Sequence, residues 1–241
     1  MKSAFFLLSV VLLFSCHMSM NKTLEGNAHI KKETRDVSGF TGISVAGPFK
    51  VTVQQGDNYI VSLEADENLL PYIEIEHDGN TLRIKERKGY NLRGTRGLSV
   101  TVHMPEIDFL SLAGSGSIDA PSMIKNSDAI RIDLAGSGHI SAIVETPKVS
   151  VDIAGSGNTA LAGQTRDMNI TIGGSGDCVA EQLKSENCNV SIGGSGTVKV
   201  YASTSLDANI GGSGNVYYAG EPNNIKKSIA GSGKVKSISE L

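Results

Sequence analysis

The residues with the clearest potential for chemistry are seven serines, each standing between two glycines. A serine becomes a nucleophile only when a base lies within hydrogen-bond reach, and an enzyme needs one such serine rather than seven. Equivalent copies instead predict a structural ladder of hydroxyls along a stack of repeats. Removing one hydroxyl, as in Ser175→Ala, is then expected to cost about 1 kcal/mol. The seven residues are Ser115, Ser137, Ser156, Ser175, Ser195, Ser213 and Ser232.

Acidic side chains are the second group of candidates. Asp133 and Asp152 stand at equivalent positions of adjacent repeats, and Asp119 lies elsewhere in the first repeat. Clustered acids can bind calcium or act as general acid and base in polysaccharide lyases and hydrolases. However, Thr171 and Ser191 continue the column without charge, and no basic partner at a defined spacing is apparent. We interpret the acids as a solvated polar face and keep a carbohydrate-active enzyme as the alternative.

A basic segment lies between residues 85 and 97, with the sequence KERKGYNLRGTRG. Its charge could attract anionic glycans or lipid headgroups. A soluble, charged loop explains the same composition and is the preferred interpretation. The cations are Lys85, Arg87, Lys88, Arg93 and Arg96, and Glu86 is the acid among them.

The remaining reactive residues do not define a site. Cys178 and Cys188 occupy different apolar columns, so a disulfide and two buried thiols are both open. Tyr201, Tyr217 and Tyr218 could form a contact patch or cover the core. The histidines are scattered, without the spacing of metal ligands. We therefore predict no catalytic residue, no metal site and no cofactor.

All these residues are positioned by a repeat of about nineteen residues. Before each Gly-Ser-Gly, apolar and polar residues alternate, which is typical of a half-buried strand. A second short, apolar strand follows each motif. The position just before the first glycine is always Ala or Gly. The two glycines therefore predict a bend that needs an unusual backbone conformation or a close approach.

Such a short unit cannot bury its apolar face alone, so successive units must stack. Parallel stacking with right-handed crossovers predicts an all-β fold, a right-handed parallel β-helix of about seven regular coils. The rod would be roughly 30 Å long. A β-propeller needs blades of about 40 residues, and hairpins of a sandwich would not keep one register, so both fit badly.

The start of the chain predicts export. Residues 1–16 (MKSAFFLLSVVLLFSC) form a signal peptide, and the final LFSC resembles a lipobox in which Cys16 is lipidated. An ordinary signal peptide with a free cysteine is the alternative. Residues 17–29 are predicted to be a flexible tether. The predicted location is the cell envelope, as an outer membrane lipoprotein in either leaflet.

Residues 30–241 are predicted to form one domain, with an irregular β start at 30–105 and the coils at 106–241. The segment 43–53 follows the coil pattern, with Ala46 and Gly47 in the Ala-Gly columns. Strands are predicted at 59–65 and 98–104, a helical turn within 66–73, and a hairpin at Asp78-Gly79. We expect this start to cover the N-terminal edge of the solenoid.

The last coil, residues 234–241, has no obvious cap. Its lysines could protect an open edge. A partner or a second copy could otherwise cover it, and we predict a weak end-to-end homodimer.

Composition excludes other classes. The net charge of −3 and pI near 6.0 argue against nucleic-acid binding. There is no tryptophan and only 5% of residues are aromatic, so stacking platforms for sugars are scarce.

The opening ISVAGPFKVTVQQG, the Asp78-Gly79 hairpin and the run of Gly-Ser-Gly motifs together resemble the putative auto-transporter adhesin, head GIN domain family. The resemblance covers about residues 40–221, and the family is a domain of unknown function that is frequent in Bacteroidetes lipoproteins. It implies a β-helical extracytoplasmic domain and brings no catalytic residues. The chain carries no C-terminal translocation barrel up to Leu241, so we expect export by the lipoprotein route.

The expected function is accordingly non-enzymatic. We expect a lipid-anchored binding or envelope structural protein that contacts the membrane through its anchor and a glycan or protein ligand on its coil faces.

Overall fold

The computed structural model describes residues 21–240; the predicted signal peptide and Cys16 lie outside them. Among the described residues, strands dominate, with two 3₁₀ turns at Leu70–Tyr72 and Ile238–Glu240, and no helix there has the length and apolar character to cross a bilayer. The strands are β1 Lys22–Glu25, β2 Ile30–Arg35, β3 Gly42–Ala46, β4 Phe49–Gln55, β5 Ile60–Asp66, β6 Ile73–Asp78, β7 Thr81–Glu86, β8 Tyr90–Arg93, β9 Leu98–Met104, β10 Phe109–Gly114, β11 Ser117–Lys125, β12 Ala129–Gly136, β13 His139–Gly155, β14 Asn158–Gly174, β15 Asp177–Gly194, β16 Thr197–Gly212, β17 Asn215–Ala219, β18 Asn224–Gly231 and β19 Lys234–Ser237.

The repeats form a parallel β-solenoid of about seven turns, which confirms the predicted β-helix architecture. Corresponding residues of successive coils pair in parallel, so the first glycines lie directly above one another. Each of the strands β13 to β16 runs from one Gly-Ser-Gly to the next as a single bent strand of 16 to 18 residues. The sequence predicted two separate strands per coil, but the parallel ladder continues around the corner between them.

The core consists of apolar columns that run along the solenoid axis. The column two residues before the first glycine is buried in every interior coil. Each of its side chains stacks on the equivalent aliphatic side chain of the neighbouring coil. Its members in the central coils are Leu134, Ile153, Ile172, Ile192 and Ile210.

Both glycines of the motif are required by the bend. Gly155 has a φ of 121°, and a Cβ there would lie 2.6 Å from the carbonyl oxygen of Gly136. A Cβ on Gly157 would lie 2.8 Å from the carbonyl oxygen of Gly138. The predicted reasons, an unusual conformation and a close approach, are therefore both confirmed.

Parallel stacking extends further toward the N-terminus than the seven motifs. Strand β3 pairs with β10, with Ala46 opposite Ala113, which confirms that 43–53 is a coil without its serine. One more parallel layer lies beyond it, because β7 pairs with β3 and β9 pairs with β4. The sequence did not reveal this layer, since a hairpin and the short strand β8 interrupt it.

Antiparallel strands close the N-terminal end. Strand β5 pairs with β9, β2 pairs with β5, and β6 pairs with β7 around the predicted Asp78-Gly79 turn. The predicted strands, hairpin and short helical turn of this segment are thus confirmed. The expected cover over the N-terminal edge is present.

The predicted tether at 17–29 differs from the structure in its described part. Residues Lys22–Glu25 form β1, which pairs in parallel with β8. The amide N–H groups of Asn27 and Ala28 donate to the side chains of Asn68 and Asp66. The low periodicity of this segment suggested a tether, but its order comes from partners about 40 to 70 residues away along the sequence.

Candidate functional site

The seven motif serines stack at the bend, but their hydroxyls do not form the predicted ladder. All seven are exposed, and none of their hydroxyls has a hydrogen bond to another described residue. The main chain makes the contacts instead: the N–H of Ser156 donates to the carbonyl of Gly136, and that of Ser175 to Gly155, both at 2.9 Å. Because no base contacts these hydroxyls, the arrangement offers no activated nucleophile.

Asp133 and Asp152 lie side by side on adjacent coils, as predicted. The expectation that they lack a basic partner is wrong. The Arg131 Nε is 2.9 Å from Asp133 Oδ1, and its Nη2 is 3.0 Å from Asp152 Oδ2. The signal was present in the sequence, because residues 131 and 133 share one face of a strand. The two carboxylates are therefore joined by one guanidinium, which suits a structural role better than acid–base chemistry.

Asp119 is separate from that pair. It accepts hydrogen bonds from the hydroxyls of Ser117, at 3.1 Å, and Ser141, at 2.8 Å. Its carboxylate is thus used to link two coils. The three acids selected from the sequence do not converge on one site.

An open groove of about 860 Å³ lies at another corner of the solenoid. This corner contains none of the motifs that the sequence analysis identified. Five successive layers contribute to it, because coil corners stack in register: Lys125 is opposite Glu145, and Glu145 is opposite Gln164. Proline side chains form apolar parts of its wall. The lining residues are Pro105, Glu106, Lys125, Asn126, Ser127, Glu145, Thr146, Pro147, Gln164, Thr165, Arg166 and Glu186.

Two carboxylates at or beside this groove, those of Glu145 and Asp167, have lowered pKa values. A hydrogen bond from Lys125, the charge of Lys125 and a hydrogen bond from Gln164 lower the pKa of Glu145. Hydrogen bonds from Asn187 and Arg166 likewise lower the pKa of neighbouring Asp167. A general acid working near neutral pH needs a raised pKa, so these carboxylates are suited to binding rather than proton donation.

Three of the five cations in the basic segment at 85–97 pair with acids on neighbouring strands. Lys85 Nζ lies 2.8 Å from Glu76 Oε2, and Arg87 Nε lies 3.3 Å from Glu74 Oε1. Arg93 pairs more loosely with Glu25, at 3.7 Å. This pairing favours the interpretation as a charged surface loop over an anion-binding site.

Asp66 is a buried carboxylate that the sequence analysis did not identify as a candidate. It is fully buried and accepts hydrogen bonds from the N–H and hydroxyl of Thr95 and from the N–H of Ala28. Burial raises the pKa of Asp66, but these hydrogen bonds outweigh burial and leave it below its ordinary value. The partners lie in two loops distant in sequence, so no local pattern could reveal them. Asp66 joins the N-terminal segment to the cap.

Cys178 and Cys188 are both free and buried, in different stacked columns. Burial raises the pKa of each thiol to about 12, so neither is a ready nucleophile. Of the tyrosines, Tyr218 is buried, whereas Tyr201 has Lys184 Nζ 3.9 Å from its ring centre. They cover the core more than they form a patch.

No group of three or more His, Cys, Asp or Glu side chains within residues 21–240 could hold a metal ion. His17 lies outside the described residues. Among the described residues, the corner groove is a surface with the shape of a binding site.

Comparison with known families agrees with this geometry. Residues 39–222, more than half of the chain, match the family described as putative auto-transporter adhesin, head GIN domain. The chain belongs to this family. The match coincides with the resemblance seen in the sequence and includes the groove and the Arg131 pair, whereas β18 and β19 lie beyond residue 222.

Several solved structures share the fold of this chain. A putative adhesin from Bacteroides fragilis NCTC 9343 is 21% identical, with a TM-score of 0.83 over 89% of this chain and 100% of that one. A putative lipid binding protein from Parabacteroides distasonis ATCC 8503 is 27% identical, with a TM-score of 0.74 over 90% and 100%. A putative adhesin from Parabacteroides merdae ATCC 43184 is 19% identical, with a TM-score of 0.65 over 90% and 99%. A comparison with curated proteins gave no match.

Proposed function

We propose that this head GIN protein is a non-enzymatic, lipid-anchored adhesin of the cell envelope that holds an extended polymer, first of all a glycan, in its corner groove. The groove itself carries the proposal. It is open and crosses five layers spaced about 4.8 Å apart, so a long ligand would meet contacts from several successive coils. Its amides, ion pairs and prolines provide polar and apolar contacts for a sugar chain.

The absence of acid–base geometry among the described residues supports binding over cleavage. Asp133 and Asp152 are bridged by Arg131, and the pKa of Glu145 is lowered rather than raised. The family description and the names of two similar structures refer to adhesins, which agrees with this function. The similar protein named for lipid binding makes phospholipids a second ligand class to include in the assay.

The ligand proposal is tested with the mature protein on an array of bacterial glycans and phospholipids. We expect retention of glycans, and roughly tenfold weaker binding for a Gln164→Ala, Arg166→Ala double variant. Asn209→Ala, on another face, is the matched control and should bind normally. Equal loss in both variants, or no retention of any glycan, would refute the groove as the site.

The same samples serve to test the enzymatic alternative. Glycans that bind are incubated with the protein and examined for new reducing ends or unsaturated products. We expect unchanged chain length. Shortened chains would establish a lyase or hydrolase and overturn the non-enzymatic proposal.

The anchor is tested independently in cells. The full chain should incorporate labelled fatty acid and fractionate with the outer membrane, whereas Cys16→Ala should do neither. Protease accessibility on intact cells then reports which leaflet carries the protein. Membrane association of Cys16→Ala without lipid would remove the anchor from the proposal.

A further inference from the structure

The C-terminal end of the solenoid has an open edge. Within residues 21–240, β18 pairs only with β16 and β19 only with β17, so no strand lies on their outer sides. All eight residues of β18 are exposed. The outward main-chain N–H and C=O groups of this last coil are therefore available to another strand.

This edge is positively charged although the whole chain carries a net charge of −3. Residues 221–240 contain two acids, Glu221 and Glu240, at either end and four lysines between them. The four are Lys226, Lys227, Lys234 and Lys236. An approaching partner consequently meets a cationic edge.

The interior columns also end here without cover. Ile225 and Ile229 are 37% and 42% exposed, whereas Leu206 and Ile210, one coil inward in the same columns, are 1% and 3% exposed. Between the two isoleucines, Lys227 occupies a position that is apolar in the preceding coils. Its Nζ donates to the carbonyl of Val235 at 3.2 Å.

A cavity of about 840 Å³ adjoins this edge and extends it. Tyr218, Ile225 and Ile238 contribute to its wall, together with Pro222. Glu221 also lines it. The end of the solenoid thus combines a free strand edge, an apolar recess and a cation within the core column.

Three kinds of occupant can be compared. A second copy, the homodimer predicted from the sequence, would bring two sets of lysines together, and an inward-facing charge on an edge strand opposes self-pairing. A lipid or glycan surface could neutralise the lysines but could not continue the main-chain ladder. An acidic extended polypeptide satisfies the edge, the charge and the apolar columns together.

We propose that the C-terminal edge binds an extended acidic segment of another protein as an added β-strand. An acid of the partner lies opposite Lys227, and apolar residues at alternate positions cover Ile225 and Ile229. This pattern, apolar–acidic–apolar on one face, is the same in both strand directions. The lysines then select the partner and exclude a second copy.

The test uses the mature protein and a fluorescent synthetic peptide with isoleucine, glutamate and isoleucine at alternate positions, separated by aspartate and threonine. A peptide with lysine in place of each acid is the control. We expect the acidic peptide to bind about tenfold more tightly than the basic one. Hydrogen exchange should slow in residues 224–231 when it binds.

A charge reversal identifies the contact. In Lys227→Glu we expect the preference to invert toward the basic peptide, whereas Lys50→Glu, on an exposed position near the other end, should leave it unchanged. Because Lys227 also contacts Val235, thermal unfolding is used to check that the Lys227→Glu variant is folded. The double variant Lys226→Glu, Lys236→Glu is a second test, in which we expect a smaller shift of the peptide preference in the same direction.

Several results would overturn the proposal. The first is no binding of the acidic peptide, and the second is a peptide preference that is unchanged in both variants. The third is slowed hydrogen exchange only outside residues 224–231. Dimerisation in sedimentation equilibrium that protects 224–231 would assign the edge to a second copy. Binding of anionic vesicles, without any peptide binding, would assign it to a lipid surface.

Discussion

Ile84 and Ile229 close the same interior column at opposite ends of the solenoid. Ile84 in β7 is 0% exposed, because the antiparallel strand β6 lies beside it and Ile75 is its partner. Ile229 in β18 is 42% exposed, and no strand within the described residues lies beyond it. Among residues 21–240, antiparallel strands thus cover one end, and the other end has a strand edge with no neighbouring strand.

The difference shows how a repeat protein can treat its two ends separately. Antiparallel strands interrupt the parallel register at the N-terminal end, so that end cannot serve as a template for another coil. At the C-terminal end the register continues to β19, and the lysines there oppose pairing of the edge with a second copy. Stability should therefore be concentrated at the first end, and recognition at the second.

The largest expected effect comes from Asp66, which holds the N-terminal cap together. Asp66→Ala removes the acceptor for the N–H groups of Ala28 and Thr95 and for the Thr95 hydroxyl. We expect a loss of about 3 kcal/mol in the free energy of unfolding, measured in urea. Asp57→Ala, at an exposed position, is the control. Equal values for the two variants would show that the cap does not depend on this residue.

A paired substitution measures the two ends directly. Ile84→Ala should destabilise the protein by about 3 kcal/mol, because it leaves a cavity in a covered core. Ile229→Ala should cost about 1 kcal/mol or less, because much of its side chain is already in water. The two free energies come from the same urea titrations. Similar losses at both positions would mean that the C-terminal end is covered in solution.

Acid should weaken the N-terminal end. The pKa of Asp66 is lower in the folded protein than in the unfolded chain, so its contribution to stability is full above the unfolded pKa and is lost as the pH falls through the folded one. We expect stability to decline below about pH 4. Asp66→Asn should show a flatter decline, since it cannot titrate. A wild-type slope retained in the variant would assign the effect to other carboxylates.

The architecture was predictable because every repeat carries the same pattern of apolar residues and glycines. Apolar residues two positions apart and paired glycines predict stacked strands, and seven copies reinforce the same conclusion. The layer of β7 and β9 was not predictable as a coil, because it lacks the glycine motif and is interrupted between its strands. Order at Lys22–Glu25 was also hidden, since it depends on pairing with β8.

The site was less accessible to sequence reasoning than the fold. The groove arises where Glu145 and Gln164 of different coils meet, and its position depends on corners whose lengths vary between repeats. Register shifts near Ala120 and Ala180 show that variation. Arg131 was more accessible, because residues two apart on a strand share a face. The cation stands two residues before Asp133 and pairs with both acids.

The smallest expected effect concerns the serines, where the main chain replaces the predicted hydroxyl ladder. Ser175 is exposed, its hydroxyl has no partner among the described residues, and its N–H bond to Gly155 does not depend on the side chain. We therefore expect Ser175→Ala to change the free energy of unfolding by no more than about 0.5 kcal/mol, in place of the about 1 kcal/mol that a hydroxyl ladder would give. Gly157→Ala, at the same bend, is the contrasting variant and should cost more, since its Cβ would lie 2.8 Å from a carbonyl oxygen. If Ser175→Ala were as damaging as Gly157→Ala, the hydroxyls would be structural after all, and the glycines alone would not explain why the motif is repeated.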